Sequence, residues 1–167
     1  YQTLSSAVLW RSLVTAAGPY RVPNVRVVAR SVATNTVPNG AFRGFGSPQV
    51  IFPHESQMDL LAERLDIDRV EIRRRNVLHA GERTSTDHLV AESVGVAETL
   101  ERAAKLAQWA QRVERIEREN RLSSETRRGL GIACVLYGVG LGGKAPFLDK
   151  AGALEKGPGA GMILLEA

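Results

Sequence analysis

At 167 residues the chain is long enough for one domain, and 44% apolar residues suffice for a core, which excludes a disordered tail. Its net charge of +4 comes from 22 basic and 18 acidic side chains interleaved along the sequence, with only 5% aromatic residues; this favours a solvated surface and leaves a basic nucleic-acid-binding domain as a minor reading. The lone cysteine, Cys134, rules out an internal disulfide and is compatible with a reducing cytoplasm, and no apolar run approaches the roughly 18 residues of a membrane span.

Leu4, Val8, Leu9 and Leu13 share one face over residues 4–14, predicting a short helix that stops before Ala16-Ala17-Gly18-Pro19. Arg11, on its last turns, reads as a solvated charge that the helix dipole favours near a C-terminus. From Val22 to Asn35, Val25, Val27, Ala29 and Ser31 alternate with Arg26, Val28, Arg30 and Val32, which predicts a strand. Pro38-Asn39-Gly40 then marks a turn.

The next residues, Ala41-Phe42-Arg43-Gly44-Phe45-Gly46-Ser47-Pro48-Gln49, crowd glycines, aromatic rings and an arginine into one loop. Glycine lets backbone N–H groups approach a bound group without a Cβ in the way. Phe42 and Phe45 are three apart, so both rings can turn inward, carrying Arg43 into a partly dry cleft where an anion or polar oxygen suits its guanidinium. The plainer alternative is a tight loop whose rings fill a core and whose arginine caps a carbonyl.

Pro48 suits a helix start and Pro53 a first turn or a kink, while Met58, Leu61, Ala62 and Leu65 form the apolar stripe of an amphipathic helix. Asp68 followed by Glu71 resembles a capping pair for a short helix through Asn76. Arg73-Arg74-Arg75 reads as a solvated face with one arginine folded onto a carboxylate, ahead of a phosphate-binding role. Residues 77–95 lack periodicity and read as a surface connection, and His54, His79 and His88 lack the spacing of a zinc site. Leu100 through Ile116 predicts one long helix with a charged outer face. A strand follows over Gly131–Tyr137.

Gly138-Val139-Gly140-Leu141-Gly142-Gly143-Lys144 satisfies two nucleotide-loop patterns at once. Ala145 stands where a phosphate loop needs a magnesium-binding hydroxyl, and Pro146 and Gly152 interrupt any following helix, so a nucleotide-binding module over Gly138–Lys144 is the weaker alternative. Tyr1 and the strand-like final run Gly161–Ala167 suggest an excised piece of something longer. The whole reads as one domain over residues 1–167, of α+β class, with helices packed on a small mixed or antiparallel sheet.

The series Gly18-Pro19-Tyr20, Val22-Pro23-Asn24-Val25-Arg26-Val27, Thr34-Asn35, Ala41–Gln49, Glu55 with Met58-Asp59, Glu71–Asn76, Arg128-Gly129-Leu130-Gly131 and Phe147–Leu154 closely resembles the molybdenum-binding subunit of the xanthine dehydrogenase and aldehyde oxidase family. The resemblance implies a central fragment of a molybdopterin-binding domain within a molybdenum hydroxylase, an oxidoreductase that hydroxylates a heteroaromatic or aldehyde carbon with water as oxygen source. It implies a molybdenum-pterin cofactor, with or without a cytosine dinucleotide, and 2Fe-2S clusters and FAD on other domains or subunits. On matching positions Ala41, Phe42, Arg43 and Gly44 would face the cofactor, the backbone N–H of Arg43 lying near molybdenum without being a side-chain ligand. Phe45 would pack on the substrate ring. Counted back from Arg43, Arg11 falls where xanthine-oxidising members hold a polar substrate atom. Leu141 replaces a second aromatic ring, with about two extra residues nearby. The family's general-base glutamate has no match, so no catalytic residue is assigned and the piece alone should be inactive. The implied partners are the remainder of the subunit, the iron–sulfur and flavin units, and a small aromatic or aldehyde substrate.

Overall fold

A computed structural model describes residues 5–37, 40–91, 94–122 and 125–137, together with the backbone of 163–166. Five helices dominate these residues. The first, α1 (Ser5–Thr15), ends where Gly18 takes a left-handed φ of 61° and donates to Thr15 O. A Cβ at Gly18 would lie 2.6 Å from the His54 imidazole, so glycine here closes the helix and also lets the next one approach.

α2 (Ser47–Leu65) and α3 (Arg69–Asn76) form a hairpin. Asp66 caps α2 in the left-handed conformation, and Ile67 N–H reaches back to Ala62 O at 2.9 Å. Asp68 then caps α3 as its sequence position suggests, its carboxylate accepting from Val70 N–H and Glu71 N–H. Pro48 sits in the first turn of α2, and Pro53 lies inside the helix. The face α2 buries is Glu55, Met58 and Ala62; Leu61 and Leu65 of the predicted stripe are exposed. The stripe is rotated because Glu55 must meet a charge inside.

The long helix expected over 100–116 is two helices, α4 (Val96–Leu106) and α5 (Trp109–Leu122). Gln108 adopts a φ of 50° at the break, and the Trp109 indole N–H donates to the Asp68 carboxylate at 2.8 Å. That tertiary bond fixes α5 against the start of α3. Tyr20, Met58, Val70, Leu100 and Trp109 meet in the core these helices enclose.

The α+β class holds, with little strand. β1 (Val27–Arg30) pairs in parallel with β2 (Ile163–Glu166), Val27 opposite Ile163 and Arg30 opposite Glu166. Antiparallel pairing is confined to the isolated bridges Tyr20–Val77 and Arg83–Leu89 among the described residues. The strand predicted over 22–35 is thus four residues long. Gly131–Tyr137 forms no ladder among the described residues and is tied down through Cys134 N–H, which donates to Glu55 at 3.0 Å. No helix among the described residues is long and apolar enough to cross a membrane.

Candidate functional site

Two consecutive turns shape the glycine loop. Phe45 N–H donates to Phe42 O at 2.8 Å with Gly44 at φ 90°, and Ser47 N–H donates to Gly44 O at 3.0 Å with Phe45 at φ 50° and Gly46 at φ 100°. The first has the glycine where a type II turn requires positive φ. Both glycine faces are already filled. A Cβ at Gly44 would lie 2.5 Å from the Pro48 ring, and one at Gly46 would lie 2.2 Å from Val8 O of α1. The glycines therefore serve close packing of the loop on its own helices, and any group approaching from outside meets the opposite side.

The loop is pinned from behind. Ser12 Oγ donates to Gly46 O at 2.9 Å, and the wholly buried Ser47 hydroxyl accepts from Thr15 Oγ1 at 3.4 Å. In front, Phe42 is 85% exposed, and Ala41 and Arg43 are exposed beside it; Gly44 and Phe45 are half-buried. The inward turn expected of both rings is thus not what Phe42 does, because positive φ at Gly44 reverses the chain and leaves Phe42 on the outer limb. Only Phe45 turns partly in.

Arg11 departs from the solvated charge its position suggested. It is 7% exposed, with its guanidinium carbon 4.4 Å from the centre of the Tyr137 ring, a stacking a cation favours over an aromatic face. Its chain neighbour Ser12 is the residue that holds Gly46, so α1 carries the buried arginine and anchors the loop on adjacent residues. Tyr137 also lines a cavity of about 320 Å³ whose other walls include Pro19, Leu78, Val90, Val96 and Leu136.

A buried ionic cluster joins α2 and α3. Arg73 is 0% exposed: its Nε donates to Glu55 Oε2 at 2.8 Å, one terminal nitrogen lies 2.9 Å from Asp59 Oδ1 and 2.9 Å from Arg69 O, and the other donates to Glu55 O at 3.1 Å. Glu55 Oε1 accepts from the Tyr20 hydroxyl at 2.5 Å. The expected single arginine folded onto a carboxylate is Arg73, while Arg74 and Arg75 pair with Glu71 and Glu101 at the surface. Burial, reinforced by the Glu55 hydrogen bond, pushes the Tyr20 phenol far above its usual range; burial also raises the Cys134 thiol and lowers His54. With Glu55 accepting at both oxygens and Cys134 kept protonated, the cluster is built to hold the hairpin rather than to attack a substrate. Its signal in the sequence was Glu55 itself, an acid on the buried face of a helix three residues before Met58.

Gly138–Lys144 and Leu141 lie outside the described residues. Among the described residues no three His, Cys, Asp or Glu side chains group to hold a metal.

Comparison with known proteins gives one consistent result. The family described as "Molybdopterin cofactor-binding domain" matches residues 1–77. The "Nicotinate dehydrogenase large molybdopterin subunit" of Eubacterium barkeri is 46% identical over 107 residues, 64% of this chain and 25% of that protein. A probable xanthine dehydrogenase subunit of Bacillus subtilis is 37% identical over 142 residues, 85% of this chain and 18% of that protein. Among solved structures, the aldehyde oxidoreductase of Desulfovibrio desulfuricans superposes with a TM-score of 0.61 at 27% identity, over 75% of this chain and 13% of that one. The chain spans a quarter or less of the length of each of these relatives.

Proposed function

Because the chain belongs to the molybdenum-binding subunits of the xanthine dehydrogenase and aldehyde oxidase family, we propose that it forms part of the domain that seats a molybdenum-pterin cofactor in a cytoplasmic oxidoreductase hydroxylating a heteroaromatic or aldehyde carbon. The observation that carries this reading is the double turn at 42–47, fixed to α1 and α2 on one side and open on the other.

Such a turn fits an external polar group. Its glycine faces are occupied by Pro48 and by Val8 O, so nothing is gained by further collapse, and the exposed limb offers the amide and guanidinium of Arg43 beside Phe42 and Ala41. When bound, the cofactor supplies the redox chemistry of the hydroxylation. The chain's own share is placement: Ala41, Phe42, Arg43 and Gly44 face the cofactor, Arg43 through its backbone N–H, while Phe45 and Arg11 face the substrate. Phe45, half-buried, sits in the second turn at a φ of 50°. Arg11 brings a cation already stripped of most of its water, so a polar substrate atom meeting it gains more than it would at the surface. A single cysteine cannot ligate an iron–sulfur cluster, which places such clusters, together with the flavin of this reading, on other domains or subunits.

The parent enzyme provides the test. Position 43 follows Phe42 and precedes Gly44 in the first turn, where proline is accommodated, so Arg43→Pro deletes the amide N–H while keeping the turn. Arg43→Ala removes only the side chain. If the amide is the working group, Arg43→Pro lowers turnover about 100-fold, the cost of one well-placed donor, while Arg43→Ala stays within a few-fold and both retain molybdenum and pterin by metal analysis and fluorescence. Equal turnover in the two variants removes the backbone of residue 43 from the site.

A further inference from the structure

From the stacking of Arg11 on Tyr137 we infer that Tyr137 is a positioning residue, one that sets the plane of the Arg11 guanidinium and so the direction in which it offers hydrogen bonds to a carboxylate or oxo group on an aromatic substrate. The inference rests on the reading of Arg11 as a substrate contact. A guanidinium donates only in its own plane. With its carbon 4.4 Å from the ring centre, the guanidinium lies over the Tyr137 ring, and Arg11, 7% exposed, has little room to turn away from it.

Tyr137 is itself held in place. Three residues earlier Cys134 N–H donates to Glu55 Oε2 at 3.0 Å, which fastens the segment 125–137 to α2, and Val135 and Leu136 join Tyr137 in walling the apolar cavity. The same Glu55 oxygen accepts from Arg73 Nε. A line of contacts therefore runs from the buried ionic cluster through Cys134 to Tyr137 and on to Arg11. Tyr137 remains 42% exposed, so its ring is open to substitution without emptying the core.

Binding of benzoate, a planar aromatic anion that does not turn over, is measured by titration calorimetry on the complete parent enzyme, alongside KM and kcat for the uncharged substrate benzaldehyde. Tyr137→Leu is expected to weaken benzoate about tenfold, as loss of a desolvated cation–π contact implies, while kcat and KM for benzaldehyde stay within about twofold. Tyr137→Phe keeps the ring face and restores benzoate affinity. Tyr137→Gln, which is flat and soluble but lacks the ring, must follow Tyr137→Leu, and it serves alone if the leucine variant does not fold. Arg11→Met is the companion measurement. If Arg11→Met weakens benzoate and neither ring-less variant does, Tyr137 has no positioning role although Arg11 still meets substrate. If Arg11→Met leaves benzoate unchanged, the reading of Arg11 fails and the inference falls with it. Equal losses for benzoate and benzaldehyde in Tyr137→Leu would mark a merely structural ring and overturn the inference as well.

Discussion

Arg73 and Arg43 are the same side chain in opposite circumstances. Arg73 is sealed among Glu55, Asp59 and two carbonyl oxygens, and every one of those groups lies on α2 or α3. Arg43 stands exposed on a turn whose other side is bonded to α1 and α2. The first region spends its polar groups on itself, and the second fixes its backbone while leaving its side chains uncommitted. On the proposed reading, stability and cofactor contact fall to separate residues, and substitutions in each region should move different measurements.

The largest effect is expected at the sealed arginine. Arg73→Ala strands Glu55 in the core and should lower unfolding stability by about 3–5 kcal/mol in denaturant titrations; a loss below about 1 kcal/mol would mean water already reaches the cluster. Next comes the hinge between the two regions. Gly46→Ala places a Cβ 2.2 Å from Val8 O at a φ of 100°, and a cost of about 2–3 kcal/mol follows from backbone strain and displacement of α1. Smaller again is Asp68→Ala, which removes the α3 cap and the acceptor for Trp109 Nε1 together; about 1–2 kcal/mol is expected, with Trp109 fluorescence shifting as its indole loses that partner. The smallest change in stability belongs to Phe42→Ser. With the ring 85% exposed, unfolding free energy should change by no more than about 0.5 kcal/mol, while the parent enzyme should lose bound molybdenum and pterin. Normal cofactor content in that variant would count against the 42–47 turn as the cofactor-facing region.

Legibility followed the range of the interaction. The α3 cap and the division of Arg73-Arg74-Arg75 into one folded and two surface arginines could be read because partners lie within a few positions or on the neighbouring helix. The break between α4 and α5 could not. Gln108 carries no conformational signature for a φ of 50°, and what fixes the break is a bond from Trp109 to Asp68, 41 residues earlier. The buried face of α2 escapes periodicity for a related reason: the pattern identifies apolar positions, but Glu55, which turns the helix inward, answers not only to Arg73 on the next helix but to Tyr20 and Cys134, both far off in the chain. The glycine loop stands out by its composition, yet the purpose of Gly46 depends on Val8 O, far back in α1. Tyr137 had no local pattern to distinguish it; only its meeting with Arg11 does.

The pairing of Val27–Arg30 with Ile163–Glu166 carries a consequence for biosynthesis. A ribosome adding about 5–20 residues per second needs on the order of ten seconds to travel from one strand to the other, and throughout that interval the earlier strand waits without its neighbour. The mutual bonds of α1 to α3 are available long before, so the nascent chain holds its first helices together while β1 still lacks its ladder.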